Sequence, residues 1–276
     1  MTAPALDTPV ATSSSGTKHS LWQRTARLRF FVAFALVTLA LWEIGVRWSG
    51  VRQLIFPAPT DVWRELIADP LWLAHHCGYT LAAALIGFAL AVVIGLTLAI
   101  GIVYSKLLDR TLFAALVATN AVPKVAIAPL FVLWVGTQIE SKVVMALLVS
   151  IFPMVVDSVV GLRSVDPGML DLARTYRGSK LQMFWKIRFP NALPNVFAGM
   201  KVAISLALVG TIVGEFVGSN YGLGYVILQS QGTYNTPRVF AAILVLAILG
   251  TVLYQIVDWI ERKAMPWHVS HRHDES

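Results

Sequence analysis

Residues 80–102, TLAAALIGFALAVVIGLTLAIGI, carry no charged side chain over a length that crosses a lipid bilayer. The hydrocarbon layer is about 30 Å thick and each helical residue rises about 1.5 Å, so roughly twenty apolar residues suffice. Working outward from this stretch, which extends to about 79–104, five further segments qualify, at about 30–48, 112–135, 142–161, 195–217 and 239–260. Inside a bilayer every backbone N–H and C=O must be satisfied within the protein, and no ten-residue alternation suggests a barrel. The sequence therefore predicts an all-α integral membrane protein with about six transmembrane helices.

Composition supports this. The chain is 57% hydrophobic and 13% charged, about half the charged share of an ordinary soluble domain. Its net charge of +7 would suit a nucleic-acid partner only if the basic residues lined one polar face, whereas here they fall between apolar runs. Their placement sets a sidedness instead, because Lys and Arg stay on the cytoplasmic side. Fifteen lie before the first span, at 105–111, at 162–194 or after the last span, and five lie in the alternate connections. Both termini are thus expected in the cytoplasm. Residues 1–29 read as a disordered cytoplasmic lead, 30–261 as the membrane domain with a cytoplasmic loop at 162–194, and 262–276 as a cytoplasmic tail. The apolar run from Phe30 ends at Arg47 and Trp48 rather than at a cleavage site, so it reads as a retained helix.

Between the first two spans, FPAPTDVWRELI (56–67) places Pro57 and Pro59 before Thr60 or Asp61, either of which can cap a short amphipathic surface helix. The single cysteine, Cys77, excludes an internal disulfide. Adjacent His75, His76 and Cys77 point in different directions and make a poor metal site, and the tail HVSHRHDES (268–276) reads as solvated, so no metal is expected.

The loop at 162–194 is the longest basic connection. Asp166 before Pro167 is a helix start, Gly178 suits the left-handed residue that ends a helix, and Ser179 with Gln182 has the capping-box spacing that starts another. Helix, turn, helix is the expected form. Leu181, Phe184, Trp185 and Ile187 among Lys180, Lys186 and Arg188 suit docking against lipid headgroups or another protein.

This loop resembles the cytoplasmic EAA loop of ABC importer permeases, E-A-A, three residues, Gly, nine residues, then I-x-L-P. Asp171, Leu172 and Ala173 stand at E-A-A, Ile187 at the Ile, Phe189 at the Leu and Pro190 at the Pro. Arg177 stands at the Gly position and Gly178 follows one residue late, so the turn is either displaced or made on Gly178. FPAPTDVW (56–63), residues 80–102, AVPKVAIAPLFVLWVG (121–136), SKVVMALLVSIFPMVVDSVVGLRSVDP (141–167) and GEFVGSNYGLGYVI (214–227) also look like permeases of the nitrate, sulfonate and taurine importer family, over about residues 50–260.

The resemblance implies a type I ABC importer permease fold in the cell (inner) membrane, a homodimer, two ATPase subunits and an extracytoplasmic substrate-binding protein. It also implies that the loop, with Tyr176 beside the matched residues, is the coupling helix inserted into the ATPase. The chain has no G-x-x-x-x-G-K-[ST] phosphate loop, so ATP and magnesium are expected on the partner and no catalysis on this chain. The expected function is a translocation pathway for a small solute such as a sulfonate, nitrate or a related organic molecule. The alternative is an ion-coupled secondary transporter without an ATPase.

Within the spans, Glu215 reads either as part of an outer gate or as a structural group paired with Lys124 or Lys201. Lys124, between Pro123 and Pro129, and Asp157 divide between a pathway role and a kink or a water contact. Gly222 and Gly224, with Gly218, allow a gate segment to fold back tightly or helices to approach closely.

Overall fold

The computed structural model describes residues 19–50 and 52–266, so the expectations for residues 1–18 and for the tail 267–276 lie outside the described residues. All regular elements among the described residues are helical. The first, α1 (His19–Ser49), begins ahead of the expected start at 30. The lead expected to be disordered through residue 29 is thus helical from His19, in keeping with LWQRTARLRF, which has good helix formers and neither Gly nor Pro.

The membrane-crossing part of α1 buries nothing against the rest of the chain until its far end. There Trp42 meets Phe56 and Phe240, with ring centroids 5.6 and 6.1 Å away. Glu43 accepts a 2.5 Å bond from Arg47 and a 3.1 Å bond from the backbone N–H of Thr60. That second bond explains the start of α2 (Pro59–Ala68). Neither Thr60 nor Asp61 caps it: Pro59 takes the first helical position, Ala58 becomes the cap, and a carboxylate from α1 satisfies a free N–H that a local side chain was expected to bind.

Asp69 caps α3 (Pro70–Tyr104), accepting from Trp72 N at 3.0 Å. Short α4 (Lys106–Leu108), a π-helical turn (Asp109–Phe113) and α5 (Ala114–Ala121) follow, then α6 (Lys124–Val135). The single span expected at 112–135 is two helices meeting at 99°. Pro123 has no N–H to continue α5 and forces Val122 into extended backbone, so the chain turns there rather than merely kinking. Five described helices are long and apolar enough to cross a membrane, six if this bent pair counts as one span.

Next come α7 (Ile139–Arg163), α8 (Pro167–Thr175), α9 (Lys180–Met183), a second π-helical turn (Phe184–Arg188), α10 (Phe189–Gly218), α11 (Leu223–Gly232) and α12 (Thr236–Ala264). The segments expected at 142–161, 195–217 and 239–260 lie within α7, α10 and α12. Helices α3, α7 and α10 form the centre of the molecule. Small residues bring their backbones together, as the absence of solvent between helices in a membrane favours. A Cβ on Gly210 of α10 would stand 2.6 Å from the carbonyl oxygen of Met145 on α7. Ile102, Met154, Leu162, Phe184 and Val196 fill the core near the basic loop. Leu223, Val226, Val239 and Leu246 fill it at the other end, where α11 lies against α3 and α12.

Candidate functional site

The chain concentrates unusual chemistry at the two ends of the α7–α10 pair. At one end, Asp166 starts α8 by accepting from Gly168 N at 2.8 Å, with Pro167 in the first turn. The helix closes through Arg177 N to Arg174 O at 2.9 Å and Gly178 N to Ala173 O at 3.0 Å, the paired bonds of a Schellman motif. The left-handed residue of this motif is Arg177, at φ +53°, not Gly178 as expected from the sequence. The turn is therefore not displaced from the position where the importer pattern has Gly. Gly178 serves a different need, because a Cβ there would lie 3.0 Å from Ala173 O, in the path of the closing bond.

Ser179 then starts α9 with both bonds of the expected capping box: its hydroxyl accepts from Gln182 N at 3.2 Å, and Gln182 Oε1 accepts from Ser179 N at 2.9 Å. Rather than ending before a separate span, α9 runs through the π-helical turn into α10, giving one helical stretch over Lys180–Gly218. Pro190 has no N–H for an i−4 bond, and the wider turn before it, closed by Phe189 N to Phe184 O, shifts the ladder so that the helix continues.

The loop helices leave apolar side chains in the open. Leu172 is 59% and Tyr176 81% exposed, with Met169, Leu181 and Trp185 exposed beside them. Asp171 is tied to Arg174 at 2.7 Å, Ala173 is half-buried, and Ile187 and Pro190 turn partly inward. The base of the loop is fastened to the membrane helices. Arg188 donates to Leu162 O at 3.1 Å and its guanidinium lies 5.7 Å over the Tyr104 ring. Asn191 donates to Ser164 Oγ at 2.9 Å, and Arg163 pairs with Asp109 at 2.8 Å.

At the other end, Glu215, 1% exposed, accepts from Thr80 Oγ1 and from Gly224 N, both at 2.7 Å. Thr80 Oγ1 in turn accepts from Leu223 N at 2.8 Å. His76 Nδ1 accepts from Gly222 N at 3.0 Å, so its ring is neutral with the proton on Nε2. Gly222 has φ +105°, and a Cβ there would run into the Glu215 carboxylate; one on Gly224 would lie 2.9 Å from Glu215 Oε2. Lys142, fully buried, donates to Thr137 O at 2.5 Å and Gly218 O at 2.7 Å. The 218–224 turn is thereby clamped to α3 by His76 and Thr80, to α7 by Lys142 and to α10 by Glu215.

Glu215, Gly222 and Gly224 are thus brought together, but the partners considered for Glu215 are elsewhere. Lys124 donates to Asn120 Oδ1 at 2.6 Å, and Lys201 pairs with Asp258 and Glu261 of α12. Asp157 faces Gly199 of α10, where a Cβ would lie 2.9 Å from its own, and takes no part in the clamp. Sequence reasoning missed Thr80 and the roles of Lys142 and His76, the latter weighed only as a metal ligand. Lys142 is one of the five basic residues counted in the alternate connections, although a lysine in the first turn of an apolar helix must find acceptors. His76 and Thr80, four residues apart on one face of α3, were the available signal.

The sequence profile of the family described as "Binding-protein-dependent transport system inner membrane component" matches residues 91–265. The chain belongs to this family. Among its relatives, the formylaminopyrimidine transport permease protein ThiX of Halalkalibacterium halodurans is 34% identical, over 85% of this chain and 94% of that one. The putative aliphatic sulfonates transport permease protein SsuC of Bacillus subtilis is 31% identical, over 85% and 86%. A chain of the MetNI methionine ABC transporter superposes with a TM-score of 0.62 at 20% identity, over 70% of this chain and 96% of that one, and shares the fold. The protein is thus an ABC importer permease subunit, a multi-pass inner membrane component with the type I fold.

Proposed function

We propose that this permease forms the solute pathway as a homodimer with both termini in the cytoplasm, driven by two separate ATPase subunits and supplied by an extracytoplasmic substrate-binding protein. ATP and magnesium act on the ATPases, and this chain is not catalytic. The observation that carries the reading is the exposed apolar row of Leu172, Tyr176, Leu181 and Trp185 on two capped helices whose base is bonded to α3 and α7. Exposed apolar groups on so well fixed a surface suit a protein groove, and a push on the loop reaches the membrane helices through Arg188. At the opposite end the clamped 218–224 turn serves as part of the external gate, with Glu215, Gly222 and Gly224 as gate-forming residues. Lys124 and Asp157 are retained as candidate pathway residues.

The solute is a small polar molecule, of the kind named for the relatives: a formylaminopyrimidine or an aliphatic sulfonate. Uptake into proteoliposomes holding the permease, its ATPase and its binding protein tests the scheme. Uptake is expected to require ATP inside the ATPase-facing compartment and to ignore collapse of proton and sodium gradients. Uptake by the permease alone, driven by an ion gradient, would establish the secondary-transporter alternative.

A further inference from the structure

Between α10 and α12 lies an open cavity of about 580 Å³, lined by Lys201, Val202 and Ser205 on one side and Tyr254 and Glu261 on the other. Lys201 sits near the middle of α10, where a charged side chain at membrane depth is costly. Its ammonium bonds Asp258 Oδ1 at 2.5 Å and pairs with Glu261, and Arg262 donates to Asp258 Oδ2 at 2.9 Å. Two cations face two carboxylates, so the formal charge of the cluster cancels.

Joining α10 to α12 does not require such a cluster, since apolar side chains of similar volume hold helices together at least as well. What distinguishes the cluster is its place on a cavity of small-molecule size, next to the α10 face that exposes Ala198, Val202, Ser205 and Val209. An ammonium has three N–H donors, and the two carboxylates account for two of them. The third is available to an acceptor in the cavity. Glu261 lines the same cavity as an acceptor, and the Tyr254 ring, 5.7 Å from Lys201 Nζ, forms an aromatic wall.

We propose that this cavity is a solute-binding station on the translocation route, and that it favours a small polar solute of zero net charge, an uncharged heterocycle or a zwitterion, over an anion, which narrows the two solute types named above to the pyrimidine type or an amino-bearing sulfonate. An anion reaching Lys201 meets the Glu261 carboxylate beside it, with Asp258 bonded to the same ammonium, and a cation reaching Glu261 meets Lys201. A net-neutral solute can accept from Lys201 while donating to Glu261, leaving the internal pairs in place. The proposal rests on the reading of this chain as the pathway-forming subunit.

The test is equilibrium binding to the purified full-length permease in lipid nanodiscs, without ATP or partner proteins. The probes are cytosine and β-alanine, net-neutral, against 3-hydroxypropionate and nitrate, both anions; β-alanine and 3-hydroxypropionate differ chiefly in an ammonium against a hydroxyl. Cytosine or β-alanine is expected to bind at least about tenfold more tightly than either anion. Val202→Trp and, separately, Ser205→Phe fill the cavity without altering a charged group, and each is expected to weaken that binding by at least about tenfold in protein that remains monodisperse. An anion bound as tightly as the net-neutral probes, no binding by any of the four, or binding unchanged in both filled variants would overturn the proposal. Uptake that proves independent of ATP would overturn the proposed function and leave this binding result standing, so the two failures are distinguishable.

Discussion

Arg177 holds a left-handed backbone at φ +53° in a position where glycine meets no steric penalty. The strain is of the order of 1–2 kcal/mol, offset by about 0.5–1 kcal/mol of extra entropy that glycine loses on folding. Arg177→Gly is therefore expected to stabilise the turn by a net amount of at most about 1.5 kcal/mol, seen as up to about tenfold slower amide exchange at Gly178. Glu215 is the opposite case, a buried acceptor serving two donors. Glu215→Ala leaves Gly224 N and Thr80 without it and is expected to cost about 1–3 kcal/mol in thermal unfolding, whereas Glu215→Gln keeps an acceptor oxygen and loses less. The sequence made Glu215 conspicuous by its charge, and Gly222 and Gly224 by their spacing. Lys201, fourteen residues earlier on the same helix and so about 21 Å away, could be set aside from the expected span alone, whereas the choice between Lys142 and Lys124 depends on how α7 and α6 pack against α10.

Among the elements, the loop was read most fully from local chemistry. Asp166 with Pro167 and Ser179 with Gln182 are contacts within a few residues, and both formed as spaced. Sequence and structure differ in where helices are continuous. The span at 112–135 is broken at Val122–Pro123, while the helix at Lys180–Gly218 continues across Pro190, though both carry proline. Ahead of Pro190 the π-helical turn at Phe184–Arg188 shifts the hydrogen-bond register, a feature with no hydropathy signature, whereas Val122 before Pro123 takes an extended backbone. Because α9 is continuous with α10 and Arg188 also grips α7 and α3, a displacement of α9 passes directly to the membrane helices. Arg188→Ala is expected to leave ATPase association intact while lowering solute transported per ATP hydrolysed severalfold, with Arg188→Lys intermediate because it keeps a donor but not the guanidinium stack over Tyr104. An unchanged ratio would remove Arg188 from the coupling path.

For the whole molecule, two unlike ends follow from one helical core. The end near the 218–224 turn is bound inward through buried Lys142 and Glu215, and the loop end presents apolar side chains outward. A subunit so built can change state only as its partner's contacts differ between states, since equal affinity for two states shifts neither. The loop is proposed to be where an ATPase engages. The direct measurement is affinity purification of the tagged permease from its native membranes, wild type beside Leu172→Asp and Tyr176→Asp, with the copurifying chains identified. Recovery of an ATPase with the wild type, and its loss with either variant while the permease itself remains folded in the membrane, is the expected result. An ATPase retained equally by all three, or absent from a stable wild-type permease, would contradict the claim.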